Sequence, residues 1–383
     1  MRPSFAAKQT AICDGRIRLG NRLADDIPLE AAKLMRKRVE LPTPADRCSK
    51  ICRRVLRVLE ESHGEPKMSS IASVTVAYNG VNVLRRHLDA LYRQTRKINE
   101  IIVVNNASTD DTLKLLGKEY RHVTVINLPE NVGVGGGYAA GLAYAAIEKK
   151  HDWVWLFDQD SVPGNACLEG LLSAAQQLGN HSEETAVLAP VCFHAGTKMP
   201  YPGHLWKNGR MVPTPVDSGQ AVNFVDFVIS SGSLIRREAI VAAGLPRTDF
   251  FMDFVDYEHC LRLRRHGFKI AVVRDSQLDH VLGDPTKSKF LGRTKYWSDH
   301  APWRCYYMVR NEVFTIWQYY PDWRSKGFVL FRFARYAISL VLFGRCRVAC
   351  LGMMWRGFCD GRSGRLGIRF SAPADQSRSR AAV

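Results

Sequence analysis

With 383 residues, 46% of them apolar and eight of them tryptophan, the chain can bury one large core or two ordinary ones, which excludes a disordered protein. The formal net charge of +17 sits at the ends: residues 1–70 hold 15 Lys and Arg against 9 Asp and Glu, and residues 322–383 hold 12 against 3. A middle of only about +2 and the absence of a reader motif argue against a nucleic-acid-binding protein.

Residues 1–69 read as an extension. Pro28–Glu40 and Pro44–Glu61 have helical texture, with Gly64 as a stop. The second pairs an apolar side (Ile51, Val55, Leu59) with a basic one (Lys50, Arg53, Arg57), which suits docking to an acidic surface or a solvated arm. No apolar leader opens the chain, so no secretory signal is expected. The ten cysteines form no zinc pattern. Cys48/Cys52 and Cys346/Cys350 have helical spacing without histidines nearby, and buried free thiols in a reducing compartment account for them.

From Ala72, strand and helix alternate. Val74–Tyr78 is a strand ending at Asn79-Gly80, Val83–Gln94 a helix with Leu84, Leu88 and Leu91 on one face, and Ile101–Val104 a second strand. In the turn Asn105 to Asp111, Ser108 or Thr109 would cap the next helix. Val123–Leu128 is a third strand. This order implies right-handed crossovers and a parallel sheet of nucleotide-binding type, which does not specify a reaction. Gly133, Gly135, Gly136 and Gly137 then open a helix, Tyr138–Glu148, either to bring backbone N–H groups close to an anion or to make a tight turn. Their spacing is neither the dinucleotide fingerprint nor a P-loop.

The run Trp153–Phe157 is short, apolar and bounded by a polar turn and Pro163, as a buried parallel strand should be. It delivers Asp158-Gln159-Asp160 to the strand's carboxyl end, where open α/β sheets place ligands. Hard oxygen ligands on a fixed backbone suit a divalent cation; a polar capping turn is the plainer alternative. Leu168–Leu178 reads as a helix, Ala186–Phe193 as a strand, and Met199–Gly219 as a loop over the site. Val222–Ile229 reads as a strand ending in Ser230-Ser231-Gly232-Ser233. Asp253, Asp256 and Glu258 crowd a helix start, where the dipole favours carboxylates, as caps or for function. Asp256 and Glu258 are two apart and point to different sides. Ile270–Val273 is a further strand, and His280 beyond it is either structural or a ligand. Phe328–Trp355 mixes apolar residues with arginines, too charged to span a membrane. It suits a helix lying in an anionic interface or a packed pair with a basic solvent face.

An Asn-ending first strand, a polar second turn and a Gly-rich third loop precede four further motifs: LFDQDSVP, Ile229-Ser230-Ser231-Gly232-Ser233, Asp256-Tyr257-Glu258-His259-Cys260-Leu261-Arg262 and Tyr306-Tyr307-Met308-Val309-Arg310-Asn311. Together they resemble the inverting glycosyltransferases of family two, and within them the rhamnosyltransferase branch, over Ser73 to Gly367. The resemblance implies the α/β GT-A fold, a Rossmann-like nucleotide-diphospho-sugar transferase with a mostly parallel sheet and helices on both faces. That domain would occupy residues 70–300, between a basic helical extension (1–69) and a basic amphipathic helical segment (301–383).

It also implies Mg2+ or Mn2+ held at the donor diphosphate by Asp160 and His280, with Asp158 at the ribose. Tyr78, Asn79, Asn105, Asn106, Ser108, Gly135, Gly136 and Gly137 would surround the nucleotide sugar. Asp256 is the implied general base, with Asp253 and Glu258 on the acceptor side. One position departs from the family: its base-contacting aspartate is replaced by Asn105 and Asn106, whose amides accept more weakly. The implied reaction moves L-rhamnose from dTDP-L-rhamnose to a lipid-linked saccharide acceptor in cell-surface polysaccharide synthesis. It would run in the cytoplasm, peripheral to an anionic membrane face and without nucleic acid. UDP-galactofuranose is the alternative donor.

Overall fold

The computed structural model describes residues 69–179, 183–215, 219–280, 286–290, 293–297, 300–344 and 346–370. The helices expected at Pro28–Glu40 and Pro44–Glu61, with Cys48 and Cys52, lie outside these residues.

Chain order follows the alternation of apolar periods. Strand β1 (Ile71–Ala77) leads to helix α1 (Val81–Tyr92), β2 (Glu100–Asn105), α2 (Thr112–Glu119) and β3 (Thr124–Asn127). Helix α3 (Gly133–Leu142) continues as a π-helical turn, Ala143–Glu148, before β4 (Trp153–Asp158) and β5 (Ser161–Pro163). After α4 (Cys167–Gln177) come β6 (Thr185–His194), β7 (Pro200–Tyr201), β8 (His204–Lys207), β9 (Arg210–Pro213), β10 (Val222–Val225) and β11 (Leu234–Arg236). Helix α5 (Arg237–Ala243), a 3-10 turn at Thr248–Phe250, α6 (Val255–Arg265) and β12 (Lys269–His280) complete this part.

The main sheet runs β10-β12-β6-β11-β4-β1-β2-β3, with β5 on β12 and β7 on β6. The pairs β1-β2, β2-β3, β1-β4 and β6-β12 are parallel, while β11 lies antiparallel between β4 and β6. Side chains alternate across each strand and build two cores. In β4, Val154 and Leu156 join the core under α3, α5 and α6, while Trp153, Trp155 and Phe157 join the one under α1, α2 and α4. Register sets Ala77 beside Asn105 and Val76 beside Asp158, so three parallel strands end along one edge. β12 breaks register between Val273 and Gln277 and runs on to His280, opposite Ser161 of β5. His280 therefore closes a strand instead of following one.

Three expectations change. The segment Met199–Gly219 is no plain loop, because β8 and β9 form a hairpin in it. The strand expected over Val222–Ile229 stops at Val225. Neither Ser108 nor Thr109 caps α2; Asp110 Oδ1 instead accepts from the Thr112 N–H (3.1 Å) and hydroxyl (2.5 Å).

Beyond a hairpin (Thr286–Phe290 and Arg293–Trp297) stand α7 (Pro302–Tyr319), α8 (Trp323–Phe343) and α9 (Arg347–Arg362). Gly357 and Gly361, four apart on one face of α9, leave room for the carbonyls of Tyr306 and Arg310, so α9 lies directly on α7. None of the seven described cysteines is in a disulfide; five are buried, but Cys346 and Cys359 are exposed. Among the described residues no helix is long and apolar enough to cross a membrane.

Candidate active site

The ends of β1, β2 and β4 converge with the last residue of β12. Asp158, Asp160 and His280 each present one donor atom within 4.8 Å of the others. Two carboxylates and an imidazole are a donor set that fits Mg2+ or Mn2+. Asp158, expected at the ribose, thus stands within the same three-residue group as Asp160 and His280. Its Oδ1 accepts from the buried Tyr138 hydroxyl at 2.8 Å, and its Oδ2 lies 3.8 Å from His280 Nε2. Loss of water raises the Asp158 pKa; His280 pulls it down and the Asp160 charge pushes it further up. Burial alone would lower the pKa of His280, but Asp160 and Asp158 outweigh burial and raise it.

Gln159, between the two aspartates, reaches back to β1. Its amide accepts the Tyr78 N–H at 3.0 Å and donates to the Tyr78 carbonyl at 2.9 Å, as an added strand would. Any Cβ at residue 80 would strike this amide, which gives Gly80 its reason. Tyr78 is thus engaged through its backbone.

The expected donor residues at the ends of β1 and β2 grip one another. Asn79 N donates to Ser108 Oγ at 3.1 Å, and Asn79 Oδ1 accepts the Thr109 N–H at 2.7 Å. Asn105 and Asn106 are both 2% exposed. Asn105 donates to Asn127 and accepts the Ser108 N–H; Asn106 donates to Asn131 and the Gly133 carbonyl and accepts the Val132 N–H. Both amide side chains, expected at the base, also hold this wall together.

The glycine-rich stretch is likewise no loop. It forms the first turns of α3, and the missing side chains make room for protein: Gly135 for the Arg247 carbonyl, Gly136 for Val132 and Gly137 for Val76. The Gly135 N–H donates to the Phe251 carbonyl at 3.2 Å.

Opposite the cluster, Asp256 occupies the first turn of α6. Its carboxyl accepts the Tyr257 N–H at 2.9 Å. Its pKa is pushed up to about 7, first by burial and also by the charges of Asp158 and Asp253. A carboxylate poised near neutrality is suited to take a proton from an alcohol.

The other two acidic residues do different work. Glu258, expected on the acceptor side, is fully buried: it accepts from Arg262 Nη2 at 3.1 Å and from the Tyr319 hydroxyl at 2.8 Å, tying α6 to α7. Asp253, also expected there, is clamped by Arg304 of α7 at 3.1 and 3.3 Å.

The loop before α6 is strained, with positive φ at Phe251 (64°), Asp253 (56°) and Phe254 (63°). Such conformations cost of order 1–3 kcal/mol each for non-glycine residues and persist only where surroundings impose them. Arg310 and Asn311 impose them here. Both are fully buried. Arg310 Nη2 donates to the carbonyls of Asp249 and Phe250, each at 3.0 Å, and Nη1 to that of Gly367 at 2.6 Å. Asn311 Nδ2 lies within 3.0 Å of the carbonyls of Phe250, Met252 and Asp253. The motif Tyr306 to Asn311 was visible in the sequence, but nothing local there pointed to this task.

The chain matches the family model for Glycosyl transferase family 2 over residues 73–240. It is 30% identical over 244 residues to the dTDP-rhamnosyl transferase RfbF of Shigella flexneri, covering 63% of this chain and 78% of that protein. It is 26% identical over 255 residues to the galactofuranosyltransferase GlfT1 of Mycobacterium tuberculosis (strain H37Rv), covering 65% and 83% respectively. Among solved structures it is similar to GalNAc-T7 crystallised with UDP, GalNAc and Mn2+, at a TM-score of 0.53 and 14% identity. That match covers 78% of this chain but only 57% of the other, and it is a likeness of fold alone.

Proposed function

Because the chain belongs to glycosyl transferase family 2, on its rhamnosyltransferase branch, we propose that it moves L-rhamnose from dTDP-L-rhamnose to a hydroxyl of a lipid-linked saccharide, with inversion. The observation that carries the donor is the 30% identity to a dTDP-rhamnosyl transferase. The 26% identity to a galactofuranosyltransferase supports UDP-galactofuranose as the second reading.

In this reading Asp256 removes the acceptor hydroxyl proton as the oxygen attacks the anomeric carbon. The carbon–oxygen bond to the diphosphate breaks, and the diphosphate leaves with the electron pair. One base on one face gives inversion. Mg2+ or Mn2+, held by Asp158, Asp160 and His280, would supply positive charge to the departing diphosphate. Arg310 and Asn311 act through the loop by holding Asp256 in place, and Gln159 by holding the Asp-x-Asp turn against β1.

Cytoplasmic work at an anionic membrane face fits the C-terminal helices. Trp323, Leu330, Phe331, Ile338, Val341 and Leu342 are exposed along α8 at helical spacing, with Arg324 and Arg335 exposed on the same helix. An apolar stripe flanked by arginines is what a helix lying in a lipid interface presents.

The test is a screen of sugar release and transfer across nucleotide sugars, with and without Mn2+. The expected result is metal-dependent turnover of dTDP-L-rhamnose. Turnover of UDP-galactofuranose alone would replace the first reading by the second, and metal-independent turnover would remove the metal.

A further inference from the structure

Behind the Asp158–Asp160–His280 group runs a set of buried hydrogen bonds that the transfer step does not use. Ser161 and Ser231 are 0% and 2% exposed, one from the Asp-x-Asp motif and one from the Ser-Ser-Gly-Ser turn. Ser161 Oγ lies 2.8 Å from His280 Nδ1 and 2.5 Å from Ser231 Oγ. Ser231 Oγ also accepts the Asp158 N–H at 3.1 Å. The Ser161 carbonyl is held from the far side, 2.6 Å from His87 Nδ1. A carbonyl only accepts, so that nitrogen carries hydrogen. Burial keeps His87 neutral, lowering its pKa to about 4. Its Nε2 therefore carries no hydrogen and accepts from the Thr75 hydroxyl at 2.8 Å.

The same reasoning sets the proton on His280. Its Nδ1 faces Asp160 Oδ1 at 3.2 Å as well as the Ser161 hydroxyl. An ionised carboxylate only accepts, so Nδ1 bears the hydrogen. Ser161 then accepts from the ring and donates to Ser231. When the ring is neutral, Nε2, on the side of Asp158 Oδ2, keeps a free lone pair, the state in which imidazole binds metal. In the opposite arrangement Ser161 would donate to Nδ1, and Nε2 would meet the cluster as an N–H.

We propose that Ser161 and Ser231, braced by Thr75 and His87, are positioning residues that hold His280 as its Nδ1–H tautomer and aim a bare Nε2 at the Asp158–Asp160 pair. This rests on the metal reading of that group, and two measurements keep the two separable. Nitrogen-resolved NMR of the His280 ring, in the full-length metal-free protein at a pH where the ring is neutral, should report Nδ1–H. A dominant Nε2–H form overturns the proposal whether or not metal binds. Mn2+ titration of the unaltered protein tests the metal reading alone. If Mn2+ binds, Ser161→Ala should bind it ~10–100-fold more weakly, the usual loss for an outer partner of a metal-bound histidine. Ser231→Ala should move in the same direction, and metal-free binding of the nucleoside diphosphate should not change in either. Should Ser161→Ala fail to fold, Ser231→Ala and the ring spectrum decide. Wild-type Mn2+ affinity in the folded variants overturns the proposal.

Discussion

Asp256 must hold a charge at a partly buried position. Its carboxyl titrates at about 7 in the folded chain, against about 3.9 for a free aspartate. A raised folded value means the ionised form is disfavoured by folding. Its penalty to stability is absent below about pH 4 and grows until the pH passes the folded value. Asp256→Asn should therefore melt higher than wild type at pH 8 in chelator, with the gap closing towards pH 4. The same substitution should lower transfer by about 10²–10⁴ while donor and metal bind normally. Wild-type kcat/KM should rise with pH through about 7; a flat profile with a fully active Asp256→Asn variant would assign the base elsewhere. Glu258 behaves in the opposite way. Glu258→Gln strips a buried partner from Arg262, and breaking such a pair costs about 3–5 kcal/mol. Chemical denaturation should show that loss, with acceptor KM unchanged in the folded fraction. A changed KM at unaltered stability would return Glu258 to the acceptor side. The two-residue spacing predicted that these carboxylates point apart. It could not say which side is interior, because Arg262 is visible as a partner at i+4 but Tyr319 is distant in sequence.

Helix α7 acts as the buttress of an element it never adjoins in sequence. Asn311 alone gathers three carbonyls of the Phe250–Asp253 turn. Asn311→Ala frees those carbonyls and lets the strained turn relax, displacing Asp256. Small misplacements of a reacting group are costly, so transfer should fall by about 10–100-fold, while Mn2+ and nucleoside diphosphate affinity hold. Full transfer by a folded Asn311→Ala protein would mean the turn keeps its shape unaided. Legibility at this scale followed periodicity. Trp153–Phe157 and Ile101–Val104 carried their strand character in their own residues, and Asp-x-Asp announced its edge. The glycines at 135–137 left the choice open, because glycine at a helix start looks the same whether it makes room for an anion or for Val76 and the Arg247 carbonyl. The strained turn could not be read at all, since Phe251 and Phe254 carry no local signal for positive φ.

At the scale of the whole molecule, the alternation of strand and helix foretold the parallel sheet, and the family resemblance foretold helices on both of its faces. The relation of the C-terminal helices to the rest was not legible, because it depends on contacts such as Gly357 against Tyr306. These helices split their duties: α7 and α9 pack together beside the site, and α8 shows its apolar stripe outward. Removing everything after residue 327 would strip α9 from α7, so point changes test the membrane role better. Phe331→Ser with Ile338→Ser should reduce sedimentation with anionic vesicles severalfold, leaving transfer to a soluble acceptor analogue intact. Equal sedimentation of both proteins would remove α8 from the membrane contact.

The Arg310 clamp has a consequence for biosynthesis. Its guanidinium closes on the carbonyl of Gly367 as well as on those of Asp249 and Phe250 before α6, and the Tyr307 hydroxyl donates to the carbonyl of Phe370. Chains emerge from the ribosome amino end first, and domains generally fold in that order. The sheet and the Asp158–Asp160–His280 group are complete by residue 280, some ninety residues of synthesis before the last partner of Arg310 appears. A nascent chain should thus acquire its metal and donor grip early and its base late. Stalled ribosome complexes exposing residues only as far as 300 should capture Mn2+ and nucleoside diphosphate yet transfer no sugar, with transfer beginning once residue 370 has left the tunnel.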